Sequence, residues 1–204
     1  LALKVLAVST LFALPAVGQA ATCPNQGELS PQDRVTLSNV AGSIVDAVIN
    51  QDVTTLQAAL FPAEAADWNN IRGAIEQAGP LVKGGKTQLR NLYLLDASMQ
   101  TTPADTQFFC SNSSGSLTVT IGMHALPPGR YAVVIADARG AQYAGQMGIV
   151  LAWYGSSWRF AGLSTHQGVF DGHDGVWYWS RARGLAKVDP WSAWYSYEAA
   201  RFLL

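Results

Sequence analysis

The sequence predicts an α+β fold: N-terminal helices packed on a curved antiparallel sheet of five to six strands, then a C-terminal α-helical hairpin. Three observations predict it. Apolar residues recur at helical spacing through residues 31–78, alternate every second position from residue 89 to 168, and return to helical spacing after Asp174. Helices gathered ahead of the strands, rather than interleaved with them, mark α+β and not a parallel α/β sheet.

Residues 1–20 have the form of a secretory signal. Lys4 supplies the positive start, residues 5–16 the short apolar run, and Gly18-Gln19-Ala20 a small-x-small cleavage site. The run falls short of the ~20 apolar residues of a spanning helix, and Pro15 and Gly18 close it. The expected location is secreted or periplasmic, with no membrane segment after cleavage. Cleavage leaves Cys23 and Cys110 as the two cysteines of the mature chain, an even count that predicts a disulfide in an oxidising compartment. The rival role for Cys23 is lipid attachment, for which Ala20-Ala21-Thr22 is a poor preceding sequence.

Ser30-Pro31-Gln32-Asp33 combines an N-cap, a first-position proline and a first-turn acid, and Val40, Ile44, Ala47 and Val48 continue one helical face to residue 50. Asp52 caps a short second helix with Leu56 and Leu60, ended by Phe61-Pro62. A third helix, residues 63–78, carries Trp68, Ile71 and Ile75, and Gly79-Pro80 is expected to stop it. The strand around Leu89, Asn91, Tyr93 and Leu95 is apolar on both faces at its centre, which predicts cover on both sides. Further strands hold Phe108 to Cys110, Leu117 to Met123, and Tyr131 to Ile135.

Residues 145–168 form the strongest pairing signal. Gly155-Ser156 suits a two-residue type II′ turn, which sets Trp153 opposite Trp158, Leu151 opposite Phe160 and Ile149 opposite Gly162 on one face. On that register His166 shares the face of Trp158 and Phe160, and the tryptophan pair faces the helical layer. A slip of one residue would exchange the faces.

The break at Asn50-Gln51-Asp52, the flanking Ile44 and Val48, Leu56, Leu60-Phe61-Pro62 and the closing Trp153…Trp158-Arg159-Phe160 hairpin resemble the NTF2-like (cystatin-like, SnoaL-like) superfamily over about residues 30–168. The resemblance implies a sheet curled around a helix to leave a conical pocket. Some members are isomerases or dehydratases and many only bind or assemble, and no shared catalytic motif carries over. The expected organisation is a signal at 1–20, the NTF2-like domain at 21–168, and an aromatic helical hairpin at 169–204.

That hairpin, residues 176–204, holds four of the seven tryptophans and three of the seven tyrosines. Trp177, Ala193, Tyr197 and Ala200 match tetratricopeptide spacing, whereas Ser180, Arg181 and Gly184 miss it, and one such unit falls short of the three a solenoid needs. Residues 199–204 are still in helical rhythm and the chain starts on Leu1, so a longer parent chain is expected. Were Leu204 the natural end, the aromatic face of 176–204 would be expected to form a dimer interface.

Chemistry is sparse. Of the 13 basic residues Lys4 leaves with the signal, so 12 face 14 acidic ones with no basic stripe, and a nucleic-acid partner is not expected. Gly79 to Thr87 has one residue too many for a phosphate loop and lies between a helix and a strand in the wrong order. Asp171, His173 and Asp174 offer ligand atoms without a second cluster, and Asp174 also reads as a helix cap, so no metal or other cofactor is expected. Asn112-Ser113-Ser114 fits a glycosylation acceptor or a polar turn. His166, with Tyr93 or Asp96, could serve as general acid or base in a pocket walled by Trp153, Trp158 and Phe160, but it also reads, and reads better, as a half-exposed histidine at a strand end. Two function classes result. The leading one is a binding or assembly module, holding a small apolar ligand in the sheet or a protein partner on the aromatic helices. The other is a small-molecule isomerase, dehydratase or hydrolase.

Overall fold

A computed structural model describes residues 21–23, 29–82, 85–111, 118–139 and 145–203. The signal-like segment, the Asn112-Ser113-Ser114 acceptor and Leu204 lie outside the described residues. The elements run β1 (Ala21–Cys23), α1 (Pro31–Ile49), α2 (Val53–Ala58), a 3-10 helix (Pro62–Asp67), α3 (Trp68–Val82), β2 (Lys86–Asp96), β3 (Ala104–Ser111), β4 (Thr118–Leu126), β5 (Arg130–Arg139), β6 (Gly145–Tyr154), β7 (Ser157–Gln167), β8 (Val169–Phe170), β9 (His173–Asp174), α4 (Gly175–Leu185) and α5 (Pro190–Leu203). The molecule is α+β, with helices on an antiparallel sheet and a C-terminal helical pair.

The strands divide. β2-β5-β6-β7 form a four-stranded antiparallel sheet, β1-β3-β4 a separate three-stranded one, and β8-β9 a short hairpin. The four-stranded sheet is the middle layer. On one side Leu37, Ala41, Ile44, Val45 and Val48 of α1, with Leu56, Ile71, Ile75 and Val82, bury Leu92, Val134, Ile149, Leu151 and Phe160. On the other, Phe108, Cys110 and Leu126 pack on Tyr93, Leu95, Tyr131 and Val133. This explains why β2 is apolar on both faces.

The caps follow the sequence. Ser30 Oγ accepts from Asp33 N at 3.1 Å and Asp52 Oδ1 from Thr55 N at 3.0 Å. One helix end differs from expectation: α3 runs through Gly79-Pro80 to Val82. Val82 and Ala78 are buried in the helical core, and that burial outweighs the one helix bond a proline removes. Gly79 itself faces Gln51, whose Nε2 donates to Val48 O and Ile75 O, and a Cβ there would meet that amide at 2.5 Å.

Cys23 and Cys110 are direct partners where β1 runs parallel to β3, and they are joined by a disulfide with Cα atoms 5.0 Å apart. The bond ties the N-terminal strand to the sheet, as the sequence predicts. The segment after α2 seals the free edge of β7: Phe160 N donates to Ala59 O and Phe61 N to Phe160 O, at 2.9 and 2.7 Å.

Gly155 sits at φ +60°, the geometry of the first turn position in a type II′ hairpin, and Trp153 stands opposite Trp158 and Leu151 opposite Phe160. Beyond that point the expected register fails. Val150 pairs with Gly162 while Leu151 pairs with Phe160, so Ala161 is an extra residue and Ile149 meets Leu163 instead of Gly162. A bulge of one residue inverts the faces of everything after it. His166 is therefore on the face opposite Trp158 and Phe160.

The tryptophans pack edge to face, with centroids 5.2 Å apart and the Arg130 guanidinium 5.8 and 6.0 Å from the two rings. They are not equivalent. Trp158 is 6% exposed and joins the helix-facing core, whereas Trp153 is 37% exposed. Trp158→Ala is expected to cost about 3–5 kcal/mol, and Trp153→Ala no more than about half of that. Urea unfolding of both variants checks the ranking, and equal losses would contradict it.

Acid should destabilise the fold. Hydrogen bonds to the carboxylate, from Thr55 to Asp52, Ser98 to Asp96, the Ala125 amide to Asp105 and Ser192 to Asp189, hold these four groups below the ordinary aspartate value. Groups depressed in the folded state contribute stability that is complete above the unfolded pKa, near 4, and is lost as pH falls through the folded pKa. Glu64 acts oppositely: burial, then the charge of Asp67, raises it, so its contribution is lost as pH rises. The urea midpoint is expected to fall between pH 5 and pH 2.5, and Asp52→Asn should flatten part of that slope. A flat midpoint across this range would contradict the assignment.

Candidate functional site

The expected pocket residues separate into two groups. Asp96 pairs with Arg130 at the end of β2, and Trp153 and Trp158 continue the same row across β6 and β7, on the helix-facing side. Phe160 lies one step inward on that side and is fully buried. Asp96 is exposed, and its Oδ1 accepts from both the amide and hydroxyl of Ser98, at 2.9 and 2.5 Å. It serves the turn after β2.

Tyr93 and His166 are on the opposite face. Tyr93 is buried, with its hydroxyl accepting from Asn91 Nδ2 at 2.7 Å. Its row runs Tyr93, Val133, Val150 and Gly162, so His166 is three strands across and four residues along from it. His166 instead ends a polar row that the sequence reading missed: Gln88, Asp137, Gln146 and His166. Asp137 is buried, lies 3.4 Å from Arg90 Nη1, and accepts from Gln146 Nε2 at 3.0 Å. Only the single charge inside Ala-Val-Val-Ile-Ala-Asp marked it in the sequence. The half-buried His166 lies 6.0 Å from the Phe202 ring, and its Nε2 has no hydrogen-bond partner among the described residues.

The cleft is elsewhere, on the C-terminal helical pair. It encloses about 480 Å³ and draws its walls from Phe170 and His173, from Trp177, Tyr178 and Arg181 of α4, and from Tyr195 and its neighbours on α5. Asp171 and Gly172, at φ +47° and +75°, make a two-residue turn of the type I′ kind between β8 and β9. That turn sets Phe170 opposite His173. Asp174 then caps α4, its Oδ1 accepting from Trp177 N at 2.8 Å. His173 immediately precedes the cap, and the turn of chain from β9 into α4 brings its ring parallel to Trp177 at 3.6 Å, with the Arg181 guanidinium, one helical turn further on, 5.2 Å from the same indole. Tyr178 Oη donates to Phe170 O at 3.1 Å and closes the floor.

Asp174 and His173, two of the ligand atoms considered for a metal, are thus committed to a cap and a ring stack. Among the described residues no group of three or more His, Cys, Asp or Glu could hold a metal ion, and no helix is long and apolar enough to cross a membrane. Compared with protein-family models, curated proteins and solved structures, the chain matches none.

Proposed function

We propose that this chain is an exported binding module whose ligand seat is the cleft on the C-terminal helical pair. One observation carries the reading: the 480 Å³ cleft is built from residues 170–199, whereas both faces of the four-stranded sheet are packed against other layers. A ligand in the sheet would have to displace Phe160, Leu151 and Ile149, each fully buried. A ligand in the cleft displaces water. The disulfide supports export, since such bonds persist in oxidising compartments. Helices laid on the sheet and the 59–61 crossing of β7 support an NTF2-like relationship.

The enzyme reading has one observation in its favour, the buried and unpartnered Nε2 of His166 in the row of Asp137. Gln146 stands between them, which puts His166 and Asp137 two strands, about 10 Å, apart. That is too far for one to orient the other, so binding is the better-supported reading.

The test is a thermal-shift panel of neutral oligosaccharides, apolar small molecules and short peptides. A ligand that binds only the folded chain raises Tm by mass action. At least one class is expected to raise Tm of the intact chain and to lose that effect in the Phe170→Ala/Tyr195→Ala variant. A ligand that stabilises both chains equally sits elsewhere and overturns the assignment.

A further inference from the structure

We infer that the cleft takes a neutral saccharide, an inference that rests on the binding reading above and names its ligand class. The cleft offers two well-exposed aromatic rings, Phe170 at 56% and Tyr195 at 66% exposure, each braced by one neighbouring ring: Tyr178 at 6.3 Å from Phe170 and Trp194 at 4.9 Å from Tyr195. Trp177 is already engaged by the His173 ring and the Arg181 guanidinium, so it stiffens the floor instead of offering a free face. The lining also holds polar groups with capacity to spare. Ser196 Oγ donates to Ser192 O at 2.8 Å and Ser192 Oγ to Asp189 Oδ2 at 2.5 Å, which leaves both oxygens able to accept. Asp171 contributes a carboxylate and Arg181 a fork of donors.

This mixture selects by exclusion. A wholly apolar ligand would cover the polar part of the lining, the serine oxygens and the stems of Asp171 and Arg181, without supplying hydrogen bonds in return, which disfavours it. An anionic ligand would face Asp171 together with Arg181, and the lining holds no further lysine or arginine to tip the balance. What fits is an uncharged molecule with apolar flat faces and a hydroxylated rim. A pyranose has that form: its axial C–H bonds present positive charge to the negative face of an aromatic ring, and its equatorial hydroxyls both donate and accept at the rim. The volume lies within the range of small-molecule sites.

The experiment titrates the full chain with cellohexaose, chitohexaose, maltohexaose and laminarihexaose, followed by indole fluorescence and calorimetry. At least one is expected to bind with a change in tryptophan emission, and Tyr195→Ala and Asp171→Asn each to weaken it by roughly tenfold or more. Both sites are exposed, so unchanged circular dichroism and Tm would show that the variants fold. Binding that survives both substitutions overturns the inference. No oligosaccharide binding, with a peptide or apolar probe that binds and is lost in Tyr195→Ala, overturns the saccharide class and leaves the cleft as the seat. Failure of every probe overturns both.

Discussion

Phe160→Ala is expected to lower the unfolding free energy by about 3–5 kcal/mol, among the largest single losses available in this fold. Phe160 is fully buried beneath the helical layer, opposite Leu151. Its backbone also bonds to Ala59 and Phe61, so the edge of β7, the segment after α2 and the core meet at this residue. Truncation leaves a cavity that the surrounding strands, pinned by their ladders, close only in part. Urea unfolding reads the effect as a lower midpoint at unchanged slope. A loss below about 1 kcal/mol would mean that the site collapses around the smaller side chain and that the sheet face is more plastic than its packing indicates.

Opening the Cys23–Cys110 bond should cost a similar amount through the unfolded chain. The two residues are 87 apart in sequence, and the loop-entropy relation gives about 4.6 kcal/mol for a loop of that length, within the 2–5 kcal/mol commonly lost on removing a native disulfide. Cys23→Ser/Cys110→Ser, compared with the oxidised chain, measures it. The loss should appear in global stability, and β1 should become the first segment to exchange its amide hydrogens, because it is held to β3 through only three residue pairs and the bond. Equal stability of the two forms would show that the unfolded chain is compact enough for the link to constrain nothing.

Much of this architecture was legible because it rests on local chemistry. Ser30, Asp52 and Asp174 cap helices through their own side chains, and each cap is readable from the residue and the apolar run after it. Gly155 fixes its turn by φ alone, and the cysteine count fixes the disulfide. The candidate site was less legible. Phe170 belongs to the β8–β9 hairpin, Tyr178 and Arg181 are one helical turn apart on α4, and Tyr195 lies on α5, so only the packing of α4 on α5 brings the two sides round one cleft. The local signals there, the Asp171-Gly172 turn and the Asp174 cap, were legible as turn and cap chemistry and not as the wall of a cleft.

The sequence by itself determined the α+β class, the caps, the hairpin turn, the paired tryptophans and the cysteine link, since each depends on neighbours a few residues away or on a count. Only the tertiary structure decided the face of His166, the split of the strands into two sheets and the run of α3 to Val82. Strand faces alternate, so the one extra residue at Ala161 inverts every later position, and nothing local to Ala161 announces it. The division of the sheet and the end of α3 follow from what is buried against what, a property of the assembled layers and not of any short stretch of chain.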